Sequence, residues 1–231
     1  MTLPPLRITD LACRDFEEVR ALQERLVAAR RAEEIPDTLL FCSHPPVVTA
    51  GRATTPAELA AARPALEAAG IPLVPCERGG RLTYHGPGQI ILYPIVRLEG
   101  AERDLHAFQR GLEETALAAL AELGIAAALR EGYPGVWVGA AKLASVGIAV
   151  RGWVTWHGLA LNLEGDLSPF QLFDPCGISA LAVTSLERES TITPDRRRLQ
   201  ELLAAAFSCH FGREGRWVPA EDICPEEVRV L

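Results

Sequence analysis

Of the 23 lysines and arginines in this 231-residue chain, one is a lysine: Lys142, in the stretch "GVWVGAAKLASVGI". A chain that uses arginine wherever a plain positive charge suffices draws attention to the one site where it does not. Arginine hardly ever loses its proton, whereas lysine titrates readily when desolvated. A second candidate is Cys176 in "FDPCGIS", set between a rigid proline and a flexible glycine. The stretch that follows, 179–189, has the pattern of a short helix, and a thiolate is favoured by a helix N-terminus or a nearby cation. An ammonium within about 4–6 Å lowers the pKa of a thiol. A Cys–Lys pair can therefore supply a thiolate for attack and then a neutral amine that accepts a proton from the next nucleophile. Spacing alone does not bring the two together, and a lone cysteine is more often an inert buried thiol.

The densest polar stretch is "ERGGRLTYHGPGQIILYP", residues 77–94. Gly79, Gly80, Gly86 and Gly88, with Pro87, predict two tight turns around a polar "TYH" segment, with Arg78, Arg81, Tyr84, His85 and Gln89 beside an apolar strand. Glycine loops present backbone N–H groups, which suits an anion, a carbonyl oxygen or an acyl carrier arm. The stretch lacks the G-x-x-x-x-G-K-[ST] pattern, which argues against a phosphate-loop NTPase.

The pair "LASVGIAV" and "VTWHGLALNL" reads as a hairpin joined by "RGWV", with Gly152 at the first central position, as a type II′ turn prefers. That register sets Arg151 opposite Val154, Ala149 opposite Trp156, Gly147 opposite Gly158 and Ser145 opposite Ala160. Side chains alternate along a strand, so Ser145, Gly147, Gly158 and Ala160 form a track of small side chains on one face. Such a track suits either an extended ligand lying against backbone or a tightly packed crossing element. Strict alternation puts Lys142 on the opposite face, so reaching the track requires a strand start, bulge or bend.

These residues need a scaffold. Capped amphipathic patterns predict helices over 15–34, 104–124 and 193–212, with Asp15 and Asp104 as caps. Strands are predicted over 38–42, 46–50, 71–77, 89–98, 135–139, 143–150 and 154–163. The interleaving implies an α/β (α+β) fold with a mixed, largely antiparallel sheet flanked by helices. With 48% hydrophobic and 23% charged residues the chain reads as a globular domain. The N-terminal stretch has neither signal nor transit character, and no apolar run is long enough to span a membrane, which points to the cytoplasm. Six scattered cysteines without metal-ligand spacing read as free thiols, with no metal site. A net charge of −7 argues against nucleic-acid binding.

Four motifs in order, "RGGRLTYHGPGQIILYPIVRL", "GVWVGAAKLASVGIAV", "TWHGLALNL" and "FDPCGISALAVTSL", resemble those of the lipoyl(octanoyl)transferases, within the biotin/lipoate protein ligase superfamily. The resemblance runs from the first helix to about residue 188. It implies the fold of the biotin ligase and class II aminoacyl-tRNA synthetase catalytic domains, over a catalytic domain at 1–212 with a tail at 213–231. It implies octanoyl transfer from octanoyl-acyl carrier protein to the target lysine of lipoyl domains, those of 2-oxoacid dehydrogenases and of the glycine cleavage H protein. No ATP, cofactor or metal is implied. The acyl-thioester cysteine maps to Cys176, and the lysine that lowers its pKa to Lys142. Substrate-binding segments map to Arg78, Gly79, Gly80, Arg81, Leu82, Thr83, Tyr84 and His85; to Ser145, Val146 and Gly147; and to Gly158, Leu159 and Ala160. His157 stands in the "HG.ALN" motif. An ATP-dependent lipoate or biotin ligase is the nearest alternative. A non-catalytic acyl-carrier binder and a thiol hydrolase with His85 or His157 as base are two others. Arg78, Arg81 and Arg151 are candidates for a surface that docks an acidic carrier.

Overall fold

The computed structural model describes residues 3–175, 181–190 and 195–223. Eight strands form the main sheet, in the spatial order β11 (Glu214–Trp217), β1 (Pro5–Cys13), β2 (Asp37–Ser43), β6 (Gln89–Ile95), β10 (Val154–Asn162), β9 (Ala141–Arg151), β8 (Tyr133–Val138) and β7 (Ala128–Arg130). The β11–β1–β2 end is parallel, and the remaining pairings are antiparallel. A second sheet has the order β4 (Leu73–Pro75), β3 (Val47–Ala50), β5 (Leu82–His85).

Helices cover both faces of the main sheet. The helix α1 (Phe16–Arg31) starts where the Asp15 side chain accepts the N–H groups of Glu17 and Glu18, and it ends with Arg30 and Arg31 in the last turn. Both ends complement the helix dipole. Its buried stripe of Val19, Leu22, Leu26 and Val27 packs on Leu40, Ile91, Trp156 and Ala160. On the other face, α3 (Leu105–Ala121) and α5 (Arg196–His210) pack against Leu92, Val136, Leu143, Ala144, Leu159 and Leu161. The small sheet packs with α2 (Pro56–Ala68) over Val48, Leu66, Leu82 and Tyr84.

The strands β1, β5, β7 and β11 and the helix α2 are absent from the sequence reading; β5, β7 and β11 are only three or four residues long. The strand β1 breaks regular alternation, and α2 carries Pro64 in its interior, which reads as a breaker. A capping box, Thr55 with Glu58, and Pro56 in the first turn start α2 regardless. The helix predicted over 179–189 is, among the described residues, only α4 (Leu186–Glu189); the backbone before it is drawn into pairing with β9. The β9–β10 register is the predicted one. The turn differs: Gly152 and Trp153 both have positive φ, 59° and 63°, so it is type I′ rather than II′. Either primed turn matches the strand twist, and both keep the same two-residue loop and register. Among the described residues no helix is long and apolar enough to cross a membrane, and no group of three or more His, Cys, Asp or Glu is placed to hold a metal ion.

Candidate active site

A narrow cavity of about 30 Å³ opens where the small sheet meets β9 and β10. Segments far apart in sequence meet around it: Arg78, Thr83 and His85; Ser145, Val146 and Gly147; His157, Gly158, Leu159 and Ala160. Phe16 of α1 and Ile91 and Tyr93 of β6 complete the wall. Ten of the fifteen substrate-binding residues that the sequence nominated therefore converge on one space.

The rest have other duties. Strand alternation in β5 turns Thr83 and His85 toward the cavity and sends Leu82 and Tyr84 into the core of the small sheet, where Tyr84 meets Phe170 edge-on. Arg81 is exposed and pairs with Glu58 at 2.7 Å, tying the glycine loop to α2. Gly80 has φ +82°, which a glycine takes without strain. Gly79 gives its N–H to the Ile148 carbonyl at 2.8 Å, so this donor is committed to docking the loop on β9 and cannot face an oxyanion.

Arg78 is buried, which removes it as a carrier-docking residue. Its guanidinium donates to Thr49 three times, Nε to Oγ1 at 3.1 Å, Nη2 to Oγ1 at 2.8 Å and Nη2 to the carbonyl at 2.7 Å, and Nη1 donates to the Gly79 carbonyl at 2.9 Å. Arg78 is thus the internal brace of the loop, and Thr49, unmarked in sequence, is its anchor. Arg151 stays exposed at the hairpin tip, over the ring of Trp156.

His157 has φ +54° within an otherwise regular strand pairing, and its N–H turns out of the sheet to the Gln23 side chain on α1, at 2.7 Å. Burial, with the cations of Arg78 and Arg20, holds its imidazole down to a pKa of about 3. Glu77 lies 3.7 Å from Nε2 and would favour the charged form, but Arg20 at 3.6 Å partly neutralises it, and desolvation prevails. Burial first, then His44 and Arg78, push His85 well below its ordinary range. Both rings are neutral near pH 7, which makes them weak general bases.

Lys142 is also buried, three residues along β9 from Ser145. Register shifts by one residue between Val136↔Ala144 and Trp137↔Lys142. The bulge puts two consecutive residues, Leu143 and Ala144, into the core under α3, and Lys142 thereby falls on the face of Ser145 and Gly147. Of the strand start, bulge or bend that alternation left open, the structure has a bulge. The ammonium lies over the Trp137 ring, 5.6 Å from its centroid. Gly135 makes room for the stem: a Cβ there would lie 2.6 Å from Lys142 Cε. The N–H of Gly135 donates to the buried Glu113 of α3 at 2.6 Å. Cys176 lies outside the described residues, but the chain on its far side returns to Lys142. Lys142 donates its N–H to the Ala182 carbonyl at 2.8 Å, and Thr184 donates its N–H to the Lys142 carbonyl at 3.0 Å.

Residues 15–208 match the family model described as the lipoyl protein ligase A/B catalytic domain. The chain belongs to the lipoyl protein ligase A/B family. Within it, the octanoyltransferase of Geobacter sulfurreducens is 46% identical over 97% of this chain and 88% of its own length. The octanoyltransferase of Rubrobacter xylanophilus is 46% identical over 75% of this chain and 79% of its own. The fold is shared with the bipartite lipoate protein ligase of Thermoplasma acidophilum, at TM-score 0.71 and 16% identity, covering 98% of this chain and 92% of that one. In this lipoyl protein ligase A/B domain, then, the mixed sheet flanked by helices is the common frame.

Proposed function

We propose that this chain transfers an octanoyl group from octanoyl-acyl carrier protein to the target lysine of lipoyl domains, those of 2-oxoacid dehydrogenases and the glycine cleavage H protein, through a thioester on Cys176. The observation that carries the reading is the convergence of three separate motifs on one narrow cavity, with a buried lysine on the same strand, three residues from Ser145 in its wall. The relatives' name, octanoyltransferase, agrees with it. Residues 1–212 are taken as the catalytic domain and 213–231 as a tail, within which β11 pairs with β1.

The chemistry follows from exchange of like for like. The Cys176 thiolate attacks the carrier thioester, the enzyme thioester forms, and the carrier thiolate leaves and takes its proton from the Lys142 ammonium, which becomes neutral. One thioester replaces another, so no ATP or cofactor is needed. The acceptor amine then attacks the enzyme thioester, an amide forms and the Cys176 thiolate is regenerated. Lys142, in its neutral form, accepts the proton that the amine sheds. Its ammonium form stabilises the thiolate at the start of each cycle. The cavity at about 30 Å³ has room for water, whereas an apolar cavity that takes a six-carbon ring is about 150 Å³. Binding an acyl chain therefore parts its walls, each buried CH₂ contributing about 0.8 kcal/mol.

Intact-mass measurement after incubation with octanoyl-carrier protein alone tests the reading. One octanoyl mass on Cys176 without ATP is expected. An unchanged mass that shifts only when ATP and free octanoate are added would assign the chain to the ligases instead. The weak basicity of His85 and His157 speaks against the hydrolase alternative, for which free octanoate would appear as fast as acylated lipoyl domain. A non-catalytic carrier binder would keep its function in Cys176→Ser, where loss of transfer with retained binding is expected.

A further inference from the structure

We propose that Asn162 is a positioning residue for Lys142, acting through a one-directional hydrogen-bond chain that runs from the cavity wall to the lysine's own backbone; this rests on the Cys176–Lys142 reading. Asn162 is the last residue of β10. The pairing of β10 with β9 ends at Leu161↔Ala144, and one residue later the bulge begins. From there β9 changes partner: the segment 182–184 takes the place of β10 and forms a parallel bridge, Lys142↔Val183, with two backbone hydrogen bonds. A two-bond bridge is weak when unsupported. The Asn162 amide supports it by donating Nδ2 to the Thr184 carbonyl at 2.9 Å.

The other end of Asn162 is tied as firmly. Its Oδ1 accepts from Gln89 Nε2 at 2.9 Å, and the same nitrogen donates to the Tyr84 carbonyl at 3.2 Å. Carbonyls only accept, so Thr184 and Tyr84 fix which way round both amides stand. Gln89 Oε1 must then face His85 Nδ1, 3.3 Å away, and that nitrogen carries the ring proton. The sequence of donors is His85 to Gln89, Gln89 to Asn162, Asn162 to Thr184 and Thr184 to Lys142, every N–H pointing the same way. Such chains reinforce themselves in a low-dielectric interior, and His85, Gln89, Asn162, Thr184 and Lys142 are all buried. The charged groups facing this region include Glu113 of α3, near Lys142 through Gly135; Glu189 of α4, which accepts from Thr184 Oγ1 at 2.6 Å; Arg196 of α5, which donates Nη1 to the Gln89 carbonyl at 2.8 Å; and Arg78, whose charge acts on His85.

The test uses the full chain with Asn162→Ala, and reads kcat and KM for octanoyl-carrier protein together with the pH midpoint of Cys176 alkylation by iodoacetamide. The expected result is a kcat at least about tenfold lower with KM within about threefold. The alkylation midpoint moves up, and in a Lys142→Ala background Asn162→Ala moves it no further, since residues acting as a unit are not additive. Wild-type kcat and midpoint in a folded Asn162→Ala protein would overturn the inference. Should that variant fold poorly, Gln89→Ala leaves the Asn162–Thr184 bond and removes its support; it should show the same changes at smaller size, and wild-type profiles there overturn the inference too. Lys142→Ala separates the two levels. If it leaves the midpoint untouched, the Cys–Lys reading fails; if it moves the midpoint and Asn162→Ala does not, only the role of Asn162 fails.

Discussion

Gly147 lies directly beneath the backbone of Gly79: a Cβ built on Gly147 would sit 2.9 Å from the Gly79 carbonyl oxygen and 3.2 Å from Arg78 Cδ. The glycine of β9 is therefore shaped to admit the glycine loop rather than a crossing helix, and the loop in turn closes the cavity. Gly147→Ala should push this loop outward at a cost of about 1–3 kcal/mol, lowering the melting temperature by several degrees and raising KM for the acyl donor. Gly79→Ala is the contrast. Its Cβ would meet nothing nearer than the Ile148 carbonyl at 3.6 Å, so it should melt within about two degrees of the wild type. Equal melting temperatures for the two variants would refute this account of the contact.

Thr49 anchors Arg78 with both its hydroxyl and its carbonyl. Thr49→Val keeps the shape and removes the hydroxyl that accepts from Nε and Nη2 of Arg78, and losing hydrogen bonds to a buried charged group costs about 1–3 kcal/mol. Thr49→Ser restores the acceptor and should recover most of that loss. Urea unfolding of the three proteins decides the matter: if Val and Ser behave alike, the hydroxyl is not what holds Arg78.

Much of this arrangement was legible in the sequence because it depends on alternation and turn chemistry. A two-residue turn at Gly152 fixed the hairpin register, and the register placed Ser145, Gly147, Gly158 and Ala160 on one face. Period-two reasoning also showed that Lys142 needed a strand start, bulge or bend to join them, and a bulge is there. What was not legible is non-local. Thr49 looks like any strand threonine until β3 is placed under Arg78, and Asn162 looks like a strand end until 182–184 returns beside β9. The segment after Cys176 has helical composition, yet pairing with Lys142 keeps 182–184 extended. Tertiary hydrogen bonds outweigh a weak local preference.

Lys142 occupies space left by Gly135, with Trp137 opposite it. Two substitutions separate charge from placement. Lys142→Arg keeps the positive charge but cannot give up its proton, and amide formation should slow by at least about a hundredfold, while thioester formation slows less. Gly135→Ala leaves the lysine in the sequence but drives a Cβ into its stem, and should also slow both half-reactions. Single-turnover measurement of each half-reaction reads the difference; wild-type amide formation in Lys142→Arg would show that only charge matters at this position.

His157 ties stability to pH, and the sign can be worked out. Its folded pKa of about 3 lies below the unfolded value of 6.5. Between those values the unfolded chain holds a proton that the folded chain rejects, so stability rises with pH across this window and is flat above it. On acidification, stability is lost from about pH 6.5 downward, at a limiting slope of about 1.4 kcal/mol per pH unit for this one group. His85 and His44, also lowered by burial, add to the slope with the same sign. His157→Asn removes the titrating ring, and asparagine tolerates the left-handed backbone at this position better than most residues. It also keeps the N–H that Gln23 accepts. Denaturant unfolding at several pH values between 4 and 7.5 should give a shallower acid limb for His157→Asn, the two curves converging toward low pH. Parallel curves would mean that the buried ring takes up its proton without unfolding the chain.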